Sequence, residues 1–286
     1  IPKNYRMSQY IDELFKNNEN IPRKHLENMI YNSKYYKKYK EFEDTKDSVK
    51  TLILGSSHGA YGYIAKGDEY NLSMSSQDLY YAYKLYEKYS DLPNLKNIVL
   101  FYSVFTNGFI IDKTSEKERA LAYKKLFNIP IRYECLYLKL RNFSFAHYLK
   151  KVKKRPVVHN NGNMEYYYFF VSPEITPELR ANQHLKNNLR EEKQNIWLEK
   201  LINLAEEKNQ NVYIVLSPAT KEYKACLPNS SELFKDLYNV NGLEKATLIN
   251  LYDSEMFDSE DFGDLDHLNS KGAEKLSNYV RNLIMK

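Results

Sequence analysis

The stretch TLILGSSHGAY, residues 51–61, decides how this chain is read. Four apolar or β-branched residues form a run suited to a buried strand, and the run stops at Gly55-Ser56-Ser57-His58. Glycine permits a tight exit from a strand, and serines commonly cap the helix that follows. The same arrangement also presents a hydroxyl on a strand-to-helix turn with backbone N–H groups close by, as a nucleophilic site requires. Taken alone, the stretch leaves both readings open.

Further runs of this kind occur along the chain. VKTLILG (49–55), EYNLSMSSQ (69–77), LKNIVLFYSVF (95–105), QNVYIVLSP (210–218) and KATLINLY (245–252) read as five strands. The third is apolar on both alternating faces, the pattern of a strand buried in a parallel sheet. Helical patterns separate the strands: 78–89 with Asp78 near its start, 177–209 as one long helix or two in series, 230–238, and an amphipathic closing helix. Alternation of strand and helix predicts an α/β three-layer sandwich around a mostly parallel sheet of about five strands. The chain of 286 residues suits a single such domain over 1–286. Residues 1–48 read as an N-terminal helical extension, and 112–209 as an inserted, mainly helical lobe.

Composition removes several classes of function. An apolar fraction of 43% excludes wholesale disorder. The two cysteines, Cys135 and Cys226, lie far apart and outside any CxxC, which argues against a disulfide framework or a structural zinc site. Gly55, Gly59 and Gly62 lack dinucleotide-binding spacing, and no GK[ST] is present. A formal charge of +5 with no RNA- or DNA-binding signature does not indicate a nucleic-acid partner. There is no run of 18 apolar residues and no signal-peptide pattern, which leaves cytoplasmic and cell-envelope locations both open. The basic, aromatic-interleaved segment from Lys139 to Arg155 suits a membrane surface or an anionic ligand, and equally a solvated helix face. The aromatic run YYYFF (166–170) suits either sugar stacking or a core strand. The oligomeric state is not legible.

A second constellation lies before the closing helix, in DFGDLDHLNSKGA (261–273). Asp264 and His267 are three apart, so the carboxylate can accept from Nδ1–H and leave Nε2 to take a proton from a hydroxyl. Asp261, Asp264, Asp266 and His267 also make a possible metal cluster, but no second histidine stands at ligand spacing.

Gly55-Ser56-Ser57 together with Asp264-Leu265-Asp266-His267-Leu268-Asn269 and Gly272 resembles the SGNH/GDSL hydrolase superfamily. The nearest likeness is to its DltD-like and polysaccharide O-acetyltransferase-like, envelope-modifying branch. The resemblance covers about 49–105 and 210–286. It implies Ser57 as nucleophile, His267 as general base and Asp264 as its orienting partner. For the oxyanion hole it implies the Ser57 backbone, Ser76 within NLSMSS, where the family carries glycines, and Asn107, with Ser103 a weaker choice. Ser56 stands where the family has Asp. His58 and Ser73 become candidates for contact with substrate. The activity implied is transfer or hydrolysis of an acyl group on a bacterial surface carbohydrate or glycolipid. No tightly bound cofactor is implied, and an acyl donor such as acetyl-CoA would be used transiently. The alternative is a non-catalytic SGNH-like fold that binds or assembles glycans, suggested by the departures from the family pattern at NLSMSS and after the third strand.

Overall fold

The computed structural model describes residues 22–141, 158–164, 175–188 and 192–285. Five strands, β1 (Thr51–Leu54), β2 (Glu69–Asn71), β3 (Asn97–Tyr102), β4 (Asn211–Leu216) and β5 (Thr247–Asn250), form one sheet in the order β2-β1-β3-β4-β5. Every pairing is parallel. The helices are α1 (Arg23–Thr45), α2 (Ser57–Gly62), α3 (Leu79–Tyr89), α4 (Ala120–Phe127), α5 (Pro177–Asn188), α6 (Asn195–Glu207) and α7 (Ser270–Ile284), with shorter turns between them.

Side chains alternate across the strands and feed two cores. Leu52, Leu54, Ile98, Leu100, Ile214 and Leu216 point to a large tyrosine-rich core shared with α1, α3, α4 and α6. Ile53, Val99, Phe101, Val215 and Ile249 point to a smaller core closed by Leu276 and Val280 of α7. The sheet therefore has helices on both faces, the three-layer α/β architecture. Strand order reverses between β1 and β3, and in such sheets ligands bind at the strand carboxyl ends beside that reversal.

Several elements are shorter than the sequence patterns suggest, for visible reasons. Beyond Asn71, residues 72–74 still run beside β1, with Leu72 N–H on Ile53 O (2.9 Å), and the chain then turns at 75–76. Met74 N–H donates to Gly55 O, and Ser76 adopts a left-handed conformation with φ 67°. The buried Lys38 ammonium of α1 holds this segment by donating to the carbonyls of Asn71 (3.0 Å) and Ser73 (2.6 Å). Its burial pushes its pKa well below the usual lysine value. The 177–209 pattern divides into α5 and α6 around the turn at Thr106–Gly108. Asn107 Oδ1 accepts from the N–H groups of Gln194 (3.1 Å) and Asn195 (3.0 Å) and so caps α6 from outside it. Gly108 allows the end of α5 to approach, since a Cβ there would lie 1.9 Å from Asn187 O. α6 is the crossover helix between β3 and β4, and Trp197 packs edge-on to Tyr80 of α3 at 4.9 Å.

The N-terminal helix α1 is part of the main core, burying Met29, Ile30, Tyr35 and Phe42. Of the Lys139–Arg155 segment, residues 142–155 lie outside the described residues, as does YYYFF at 166–170. Among the described residues, no helix is long and apolar enough to cross a membrane.

Candidate active site

Gly55 sets the geometry of the turn after β1. Its φ of +133° disfavours any side chain, and a Cβ would stand 2.8 Å from Phe101 Cβ on β3. The chain can thus leave the strand against its neighbour and enter α2 at once. Gly59 is required one turn later, where a Cβ would meet Ser73 Oγ at 2.5 Å. Ser57 is consequently held at the start of α2, on the rim of the sheet. The first helical donors, Gly59 N and Ala60 N, both reach Ser56 O, so the Ser57 and His58 N–H groups precede the ladder.

The loop at 261–269 supplies the histidine. It is a small hairpin in which Gly263 N–H donates to His267 O (2.9 Å) and Asn269 N–H to Asp261 O (2.9 Å). Phe262 and Leu268 pair as an antiparallel bridge and face the smaller core. Asn269 then caps α7 by accepting from Lys271 N and Gly272 N. Gly272 lets the helix sit on the loop, since a Cβ there would lie 2.2 Å from Asp261 O. Asp264, at the hairpin tip, accepts through Oδ1 from the N–H groups of Asp266 (2.9 Å) and His267 (2.8 Å).

These two constructions meet. Ser57 Oγ is 2.7 Å from His267 Nε2, and His267 Nδ1 is 2.9 Å from Asp264 Oδ2. A carboxylate only accepts, so Nδ1 carries the proton and Nε2 presents a lone pair to the Ser57 hydroxyl. Burial opposes charging of the His267 ring. The Asp264 and Asp266 carboxylates outweigh it and hold the pKa above the ordinary histidine value.

A cavity of about 430 Å³ opens beside this group, lined by Ser57 and His267 together with Tyr31, Tyr61, Phe105, Phe109, Lys24, Glu116, Arg119 and Arg180. Its wall is thus aromatic and charged in comparable measure. Arg119 Nη1 donates to Ser76 Oγ (2.8 Å), and its Nη2 pairs with Glu116 (2.9 Å). Ser76 in turn donates to Glu116. Ser76 lines the cavity with its side chain committed to this charged group.

The remaining sequence candidates lie elsewhere. Asn107 is not among the cavity-lining residues: its amide donates to Asp236 (2.9 Å) and caps α6. Ser73 is fully buried beneath α2, with its N–H on Asn71 Oδ1, so it does not face the cavity. Ser103 caps its own turn through Thr106. His58 is buried behind Ser57, between Ser56 Oγ (3.2 Å) and Asp266 Oδ2 (3.1 Å), rather than lining the cavity. Tertiary packing takes each of these side chains for scaffold.

The sequence did not disclose a buried polar cluster next to the histidine. Arg180 of α5 grips Asp266 with two N–H groups, at 2.9 and 3.1 Å. His184, one turn further along α5, takes Tyr223 OH at 2.5 Å. The i, i+4 spacing of Arg180 and His184 places both on one helix face, the one signal available beforehand. Burial pushes the His184 pKa down to about 3. Burial opposes ionisation of Asp266, but the Arg180 guanidinium, the neighbouring His267 and the His58 N–H together outweigh it and hold the carboxyl well below the usual range. Among the described residues, His58, Asp266 and His267 are close enough to suggest a metal site. The donor set does not fit one, because Arg180 already places a cation on Asp266, and both His267 nitrogens face Ser57 and Asp264.

No protein-family model matches the sequence, and no curated protein matches it. Among solved structures, the chain is similar to one from Bacteroides fragilis described as a "putative acylhydrolase". The two share 10% identity over 82% of this chain and 86% of the other, with a TM-score of 0.38. A likeness this distant says nothing about chemistry, for which the arrangement of side chains is the available guide.

Proposed function

We propose that the protein is a serine-dependent acyl-transfer enzyme of the SGNH type, acting through an acyl-enzyme on Ser57. The observation that carries this reading is the Ser57–His267–Asp264 hydrogen-bonded series, with distances of 2.7 and 2.9 Å. His267 takes the Ser57 proton as Oγ attacks an acyl carbonyl, and Asp264 stabilises the imidazolium that forms. The leaving alkoxide takes that proton back, which leaves an ester on Ser57. Water or a sugar hydroxyl then attacks the ester with His267 again as base. The oxyanion donors in this reading are the Ser57 and Ser76 backbone N–H groups, in place of an asparagine side chain.

The acyl acceptor or substrate we favour is a bacterial surface carbohydrate or glycolipid. Aromatic rings beside carboxylates, guanidinia and amides, as in this cavity, suit a polyhydroxylated ligand. Acetyl-CoA or a similar thioester is the natural donor for a transferase. Turnover of p-nitrophenyl acetate and covalent labelling by a fluorophosphonate test the core of the reading. Ser57→Ala is expected to abolish labelling and lower turnover by about 10⁴-fold or more. The competing reading, a non-catalytic glycan-binding fold, is favoured by the scaffold role of Asn107. It predicts no labelling of the wild type and no change in turnover on substitution.

A further inference from the structure

His267 has a second carboxylate beside it that the triad does not use. Asp266 Oδ1 lies 3.9 Å from His267 Nδ1, and the Asp266 side chain is only 3% exposed. Its oxygens are fully engaged: Oδ1 accepts from Arg180 Nε, and Oδ2 from Arg180 Nη2 and His58 Nε2. Three elements therefore meet on one carboxylate, namely the turn after β1, helix α5 and the hairpin that carries His267.

The His58 tautomer follows from this. Asp266 is ionised and can only accept, so the His58 proton is on Nε2, and Nδ1 accepts from Ser56 Oγ–H at 3.2 Å. Burial keeps the His58 ring below the ordinary histidine pKa, and hence neutral near pH 7. That neutral ring lies flat on His267, with centroids 4.6 Å apart and planes 19° from parallel. A charged ring at that distance would oppose protonation of the catalytic base, whereas a neutral one supports it sterically without an electrostatic penalty.

Resting on the acyl-transfer reading, we infer that Asp266 is a positioning residue for the base. It locks His58 as a neutral stacking partner for His267, and it adds a second fixed negative charge near Nδ1, 3.9 Å away, beside that of Asp264. Arg180 tempers that charge. Among the described residues, the groups facing His267 include Ser57, His58 and Tyr61 of α2, Asp264 and Asp266 of its own hairpin, and Arg180 and His184 of α5. Only Asp264 and Asp266 are anions among them.

The test is the titration of His267 in the resting full-length protein, followed by imidazole NMR with His267→Gln as the assignment blank. Asp266→Asn preserves shape and, with its oxygen on the Oδ2 side, the acceptor for His58, while removing the charge and turning its NH₂ towards Arg180 Nε. The His267 midpoint is expected to fall by about one pH unit or more, with the acid limb of fluorophosphonate labelling moving the same way. Arg180→Gln, which uncovers the Asp266 charge, is expected to move the midpoint upward. A purely structural role for Asp266 would lower thermal stability and activity at every pH with the midpoint unmoved, and that result would overturn the inference. Midpoints moving in the same direction in both variants would overturn it as well. If Asp266→Asn does not fold, the Asp266→Asn, Arg180→Gln double variant is titrated in its place, and a midpoint equal to or above that of Arg180→Gln alone overturns the inference. Wild type that neither labels nor turns over esters would defeat the acyl-transfer reading, while the NMR titration would still report on Asp266.

Discussion

Replacing Asp264 with asparagine tests the proposed chemistry more sharply than removing the nucleophile, because it should leave the fold intact. Asp264 Oδ1 accepts from the N–H groups of Asp266 and His267 at 2.9 and 2.8 Å. An asparagine carbonyl satisfies both contacts, which directs the amide oxygen to that side. Its NH₂ then occupies the Oδ2 position, 2.9 Å from His267 Nδ1 and closer than the carbonyl, which lies 3.1 Å from Nδ1 and already accepts two backbone N–H groups. A donor facing Nδ1 requires a lone pair there, so the ring proton moves to Nε2. That nitrogen is 2.7 Å from Ser57 Oγ and must accept the hydroxyl proton, which an N–H cannot do. A wrong tautomer of this kind lowers kcat by about 10⁴ in serine enzymes, or about 5.4 kcal/mol of transition-state stabilisation. The assay is initial-rate hydrolysis of p-nitrophenyl acetate from pH 5 to 9, with fluorophosphonate labelling of Ser57 as a second readout. Circular dichroism and the urea midpoint should match the wild type. A folded Asp264→Asn protein within tenfold of wild-type activity would refute the tautomer reasoning.

Two further outcomes follow from packing and burial. Gly272→Ala should destabilise by about 2 kcal/mol in urea unfolding: helix propensity favours alanine by up to about 1 kcal/mol, but its Cβ would lie 2.2 Å from Asp261 O. A more stable variant would show that the hairpin is not packed against α7 as described. His184 contributes a pH dependence. Its folded pKa of about 3 lies below that of the unfolded chain, so the unfolded state binds the extra proton, and stability falls as pH drops from about 6.5 towards 3. His184→Gln removes that term. The stability gap between wild type and variant should narrow by about 1.4 kcal/mol per pH unit below about 6, and a gap that stays constant with pH would contradict a buried neutral His184.

How much of this was legible beforehand depended on whether a feature was local. The strand cores at 51–54, 97–102 and 211–216 are visible as apolar runs because parallel strands covered on both faces need apolar side chains at every position. The start of α3 at Asp78 is visible because capping is an interaction within a few residues, with Tyr81 N–H on Asp78 Oδ1 at 3.1 Å. The contact between Asp264 and His267 is of the same kind. Asn107 and Ser73 show the opposite case. An asparagine after the third strand looks the same in sequence whether it binds an oxyanion or caps a helix. Here Gln194 and Asn195, far along the chain, claim it.

By itself the sequence determined the alternating α/β plan, the glycine-serine turn and the D-x-x-H hairpin, all set by local sterics and short-range hydrogen bonds. Tertiary structure alone decided that Ser57 and His267, 210 residues apart, come within 2.7 Å. It also decided that Asp266 answers to Arg180 and His58 rather than to solvent. Those contacts depend on how the β1 turn, α5 and the 261–269 hairpin converge at the carboxyl end of the sheet, and no pattern within one segment records that convergence.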